Sequence, residues 1–158
     1  MNYTIKGLKS FIGNEGYGYN VSLYRDGKKV AFVIDDASGG EVDFQWLDWK
    51  GGRSLEEMTL LKFLEGKMSP PCWEGDTESQ MDPSAFVAGL IDDYEHRQKL
   101  IRRCKTKTVF RLVGDEEGSY REAPVKFTPK VKENLLATLA KQGKELAEIY
   151  NETFAKKE

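Results

Sequence analysis

From Tyr19 to Trp46 apolar and polar residues alternate with a period of two, in three successive runs. Tyr19, Val21 and Leu23 alternate with Asn20, Ser22 and Tyr24; Val30, Phe32 and Ile34 with Ala31, Val33 and Asp35; Val42, Phe44 and Trp46 with Glu41, Asp43 and Gln45. Alternation of β-branched and aromatic side chains predicts strands with one face on a core. Asp26-Gly27 suits a tight hairpin, because glycine takes a positive φ without steric cost, and Gly39-Gly40 marks the next turn. Residues 2–11 predict a preceding strand with Gly7 as a bulge. Gly13, Gly16 and Gly18 fall in its connection to the next strand; this glycine run leads into a strand, so it is not the phosphate loop that opens a helix.

The period then changes to that of helices. Ser54 and Glu57 have the spacing of a capping box, and Leu55, Met58, Leu61 and Leu64 predict a buried stripe ending at Gly66. Residues 67–81 read as a polar, proline-bearing loop. Asp82-Pro83 opens a second helix whose stripe is Val87, Leu90, Ile91, Tyr94, Gln98 and Ile101. Residues 107–113 and 120–127 predict a hairpin, with Pro124 placing the second strand at an edge. Thr128-Pro129 opens a last helix through Val131, Leu135, Leu139, Leu146, Ile149, Tyr150 and Phe154, interrupted at Gly143.

This order predicts a single α+β domain over residues 1–158: a meander over 1–49, two helices with an acidic loop over 50–105, a hairpin and C-terminal helix over 106–158. The expected core face holds Val21, Leu23, Val30 or its register neighbour, Phe32, Phe44 and Trp46. The helix of residues 83–104 and the C-terminal helix are expected to cover it.

Composition narrows the function classes. Apolar content is 39%, charged content 32% and net charge −2, so no global field favours nucleic acid. No apolar run is long enough to span a membrane, and residues 1–12 read as a strand rather than a signal peptide. Cys72 and Cys104 read as reduced thiols in a cytoplasmic protein. One histidine and no paired-cysteine motif argue against zinc, and no cofactor is expected. His96 lies between Glu95 and Arg97 with no signalled nucleophile, which fits a surface residue.

Charge is segregated locally. Between Val30 and Trp49 there are Asp35, Asp36, Glu41, Asp43 and Asp48 but no base. A turn could gather Asp35, Asp36 and Glu41 around magnesium, as a metal-dependent enzyme requires, or the acids could simply cap the turn. Trp73, Glu74 and Asp76 lie in a second acidic stretch. An acidic surface with an aromatic anchor could mimic a phosphate backbone, and Trp49, out of phase with Trp46, could anchor a partner. Tyr17 reads as an ordinary sheet residue. Conversely Arg97, Lys99, Arg102, Arg103, Lys105, Lys107 and Arg111 form a basic run that could contact phosphates or complement the helix dipole.

The stretches YNVSLYRDGKKVAFVIDDASGG, KTVFRLVGD and EIYNETF resemble small accessory proteins encoded by bacteriophages, prophages and plasmids. That resemblance implies no catalytic residues. It implies an accessory gene of a mobile element, and such genes often encode inhibitors of host defence, of anti-CRISPR or anti-restriction type. The expectation is a non-enzymatic protein of the host cytoplasm that binds a host protein or complex through Asp35, Asp36, Glu41, Asp43, Asp48, Trp49, Trp73, Glu74 and Asp76. Nucleic-acid binding through the basic run and metal-dependent catalysis at the acidic turn are the alternatives.

Overall fold

The computed structural model describes residues 1–71, 75 and 77–155. The chain is α+β and divides into two compact units, Met1–Tyr94 and Glu95–Glu158.

Unit 1 is built on a four-stranded antiparallel meander in the order β1-β2-β3-β4: β1 Tyr3–Gly13, β2 Gly16–Arg25, β3 Lys28–Asp35 and β4 Asp43–Trp46. Asp26 (φ 48°) and Gly27 (φ 83°) make the two-residue turn expected between β2 and β3. Gly7 (φ 68°) sits where the β1–β2 register shifts. Rungs across the sheet align Ile5, Leu23, Ala31 and Trp46 in one row, and Val21, Val33 and Phe44 in the next. These two rows are the core face.

Phe32 is not on it. Leu23 pairs with Ala31 but Tyr24 pairs with Lys29, so Val30 is one residue extra in β3. This bulge turns both Val30 and Ala31 inward and reverses the phase of the remainder of the strand. Val33 is fully buried, while Phe32 is half-buried on the opposite face beneath the Lys29 ammonium, 5.3 Å from its ring centre.

The helix α1, Leu55–Leu64, packs on the core face together with the first turns of α2, Pro83–Cys104. Its capping residue and terminal glycine are as expected: Ser54 Oγ accepts the Glu57 amide, and Gly66 comes just past the end with φ 73°. Its inward face is not. Leu60 and Leu64 are buried and Phe63 packs against the same core, whereas Leu55, Met58 and Leu61 are 72%, 55% and 49% exposed. Val87, Leu90, Ile91 and Tyr94 of α2 join the core as expected, with Asp82 Oδ1 capping the Ala85 amide. The segment of residues 67–81, expected to be only a loop, carries two short paired strands, β5 Met68–Ser69 and β6 Ser79–Gln80.

Unit 2 contains the end of α2 and a three-stranded sheet in the order β8-β7-β9: β7 Thr108–Leu112, β8 Arg121–Ala123 and β9 Leu146–Ile149. Pro124 ends β8, an edge strand. The helix α3, Pro129–Lys141, starts on the Thr128 cap, as expected, and stops before Gly143 (φ 64°). The C-terminal helix does not then resume. Leu146–Ile149 crosses to the free edge of β7 as β9, and only Tyr150–Ala155 is helical again, as α4. Leu139 and Ile149 pack with Phe110 and Leu112 in a second core, so α1, not the C-terminal helix, covers the meander with α2. Buried Asn151 knits this unit together. Its Oδ1 accepts the Val109 amide at 2.8 Å, and its Nδ2 donates to the Cys104 and Lys107 carbonyls at 3.0 and 2.8 Å.

These placements can be tested by substitution. Leu60→Ala, at a fully buried position, should cost about 2–5 kcal/mol in urea denaturation, and Phe32→Ala clearly less, because its side chain lies outside the core and is already partly in water. An equal loss in both would refute the bulged phase of β3. Asn151→Leu should cost about 1–3 kcal/mol, since it leaves the buried Val109 amide unpaired. Hydrogen exchange at Val109 should quicken more than at Leu112, whose amide is held by Asp115.

Candidate partner-binding surface

An antiparallel meander sends alternate turns to opposite ends. The β1–β2 and β3–β4 turns therefore share one end of the sheet, and the β2–β3 turn with the segment after β4 shares the other. The turns at the first end carry Glu15, Asp35, Asp36, Glu41 and Asp43 and no base; the second end is mixed, with Arg25, Lys28, Lys29, Lys50 and Arg53 beside Asp26 and Asp48.

At the acidic end the β1–β2 hairpin outruns the sheet. Its last rungs, Phe11–Gly18, Ile12–Tyr17 and Gly13–Gly16, lie beyond Tyr19–Asp35, where β3 begins to pair. The tip leans on the β3–β4 turn through the Glu15 amide, which donates to the Ala37 carbonyl at 2.9 Å. Two glycines make the approach possible. A Cβ at Gly18 would stand 2.6 Å from both the Asp35 carbonyl oxygen and the Phe11 ring, and one at Gly13 would stand 2.6 Å from the Ala37 Cβ. Ile12 and Tyr17 are left 80% and 73% exposed. An isoleucine and a tyrosine facing water on a braced hairpin, at the acid-bearing end of the sheet, are the candidate anchors of a contact surface. Beside the turn lies a shallow depression lined by Glu41, Val42, Phe44, Asp82 and Ser84.

Three of the turn's carboxylates, those of Asp35, Asp36 and Asp43, are engaged by the chain, and Glu41 is exposed. Asp35 Oδ1 accepts the Ala37 amide at 2.9 Å. Asp36 Oδ1 accepts the Ser38 amide at 3.0 Å and the Ser38 hydroxyl at 2.6 Å, and these two donors hold the Asp36 carboxyl below its usual range. Asp43 accepts from the Gln45 side chain. Among the described residues no three acids, histidines or cysteines come together as a metal site, so the trio Asp35, Asp36 and Glu41 expected for magnesium is not assembled. The acids shape the turn and charge its surface.

Asp48 stands apart from that turn. Its carboxylate receives the Ser54 hydroxyl and the Leu55 and Glu56 amides at 2.9 and 3.0 Å, fastening the segment after β4 to the first turn of α1. The Ser54 hydroxyl, ahead of the amides, lowers its pKa. Trp49 beside it is 57% exposed, while Trp46 is buried and stacked on Phe44 at 5.5 Å. Trp73, Glu74 and Asp76, like Cys72, lie outside the described residues.

The basic run belongs to unit 2 and is largely engaged within it. Arg103 and Lys107 both bind the Glu122 carboxylate. Arg97 lies over the Phe154 ring and Lys99 over the Tyr120 ring, at 5.7 and 5.9 Å. Arg102 donates to the Gln98 carbonyl, and Arg111 stands across from Glu148 in the sheet. Lys105 is exposed. The Arg121 guanidinium, with the Leu112 amide second, holds the Asp115 carboxyl at about 2. His96 is half-buried, its ring 6.1 Å from that of Tyr120, and Cys104 is a free thiol. Among the described residues no helix is long and apolar enough to cross a membrane.

Ile12 was not singled out by its sequence context, and Tyr17 fits strand alternation as well as an exposed site. The signal available was the run of glycines at 13, 16 and 18, of which Gly13 and Gly18 have no room for a side chain where the hairpin passes the β3–β4 turn.

No family model matches the chain, and no curated protein or solved structure matches it either.

The brace at the acidic end has a titration signature. Burial, and then the Asp35 carboxylate across the rung, push the Tyr19 phenol up to about 12. A phenol held neutral in the fold contributes stability that is complete below its ordinary value of 10.0 and is lost as pH rises through about 12. Tyrosinate absorbance in Asp35→Asn should show this tyrosine ionising at lower pH than in the unaltered chain. An unchanged curve would mean Asp35 does not face the phenol.

Proposed function

We propose that this chain is a non-enzymatic accessory protein of a bacteriophage or other mobile element, acting in the host cytoplasm by binding a host protein complex, as an inhibitor of a nucleic-acid-handling defence system. The observation that carries the reading is the acidic end of unit 1, where Ile12 and Tyr17 project from a braced hairpin at the same end of the sheet as Glu15, Asp36, Glu41 and Asp43. Fixed carboxylates around apolar anchors complement a groove built to hold a phosphate backbone, with lysines and arginines at its rim and bases stacking within. The resemblance of the strand and helix segments to mobile-element proteins supplies the setting. The engaged state of Asp35 and Asp36 supports a charge-presenting role over a chemical one. Engagement of the basic run inside unit 2 leaves less reason to assign it to nucleic acid.

Capture from bacterial lysate tests the reading. The chain should retain a nucleic-acid-binding protein or complex in near-stoichiometric amount. Heparin or duplex DNA should displace it, and raised salt should weaken it. Ile12→Lys with Tyr17→Lys should abolish retention while the fold, monitored by circular dichroism, is kept. Retention unchanged in that variant would remove the hairpin tip from the interface. Failure to retain any such protein would count against the function itself.

A further inference from the structure

The helix α1 is apolar on both sides. At about 100° per residue, Leu60, Phe63 and Leu64 centre on the core side, and Leu55, Met58 and Leu61 centre nearly opposite. The outward three are all well exposed, and so are Leu47 and Trp49, which flank the Asp48 carboxylate that fastens the preceding segment to this helix. A second apolar stripe on the outward side, interrupted only by Lys62, is what a covered helix carries.

We infer that the outward face of α1 pairs with the same face of a second copy of this chain, antiparallel and centred on Met58. Charge placement selects this occupant. With Met58 opposite Met58 of the partner, Leu55 meets Leu61 in both directions. Glu65, exposed at the end of α1, then comes opposite the turn Lys50–Arg53, whose two bases are exposed and whose backbone is closed by mutual hydrogen bonds between Lys50 and Arg53. The same two contacts arise twice, as a two-fold interface requires. Self-complementarity of apolar centre and charged ends is what a second copy needs and what an unrelated basic or acidic partner would not match. Such a helix, about 15 Å long, presents a small interface, so the dimer is weak and reversible. The acidic end at the hairpin tip is not used, so this inference stands independently of the proposed function.

Sedimentation velocity of the full chain over a concentration series, on the order of 1–500 μM for an interface of this size, tests it. The chain should pass from monomer to dimer within that range. Met58→Lys sets two ammonium groups against each other at the centre and should raise the dissociation constant at least tenfold. Glu65→Lys should weaken the dimer, and Glu65→Lys combined with Lys50→Glu and Arg53→Glu should restore it. All four positions are exposed, so circular dichroism should be unchanged throughout. A monomer at every concentration overturns the inference, as does a dimer indifferent to Met58→Lys. A dimer weakened by Glu65→Lys and weakened further by the triple exchange overturns the antiparallel register.

Discussion

The arrangement of unit 1 depends on one ion pair. Glu56 lies on the inward side of α1 with its side chain only 10% exposed, and Arg25 at the end of β2 meets it twice, at 2.7 and 2.9 Å. A carboxylate so placed is tolerable only when a cation and further hydrogen bonds satisfy it. The pair decides something that hydrophobicity leaves open. Leu55, Met58 and Leu61 would serve as a core stripe nearly as well as Leu60, Phe63 and Leu64, so a half-turn of the helix exchanges similar apolar areas and gains little. That half-turn would carry Glu56 into water, tear it from Arg25 and leave the guanidinium only the exposed Asp26 carboxylate, 3.7 Å away. The Asp48 carboxylate fixes the same orientation through the backbone, since it takes the amides of Leu55 and Glu56 themselves. Polar contacts thus choose between two apolar faces, and the choice leaves one of those faces outside.

The distinction between local and distant causes explains what the sequence disclosed. Turns and caps are local. Asp26-Gly27, Ser54, Asp82 and Thr128 are legible because a few adjacent residues suffice to satisfy their own backbone. The strands of the meander are legible for the same reason, from alternation alone. The inward face of α1 was misread because it is set by a residue 31 positions earlier in the chain. The phase of β3 was misread because a bulge shifts it within a single pair of strands, and Val30-Ala31-Phe32-Val33 is apolar throughout, with no polar residue to mark the slip.

The C-terminal segment shows tertiary context overriding propensity. Leu146, Ala147, Glu148 and Ile149 suit a helix by composition and spacing. What recruits them is the unpaired edge of β7, whose other neighbour offers only three residues. A two-stranded sheet of that size is marginal in water, and a third strand supplies both the missing hydrogen bonds and Ile149 for the core. Asn151, which holds the chain just after this strand, has no local pattern at all. Its three bonds reach residues more than forty positions away.

The chemistry of the acidic turn bears on which kind of function it suits. A general acid or base works best with a pKa near ambient pH, which for a carboxyl group requires burial or a neighbouring like charge. Asp36 departs in the other direction, because the Ser38 hydroxyl and amide both donate to it. Such a group stays ionised across physiological pH and keeps one orientation. Bracing of the hairpin tip against the same turn adds to this, since anchors already held in place lose little freedom when a partner arrives. Permanent charge, fixed geometry and apolar side chains left in water form a consistent set. They are the features on which the proposed attachment to a basic groove rests.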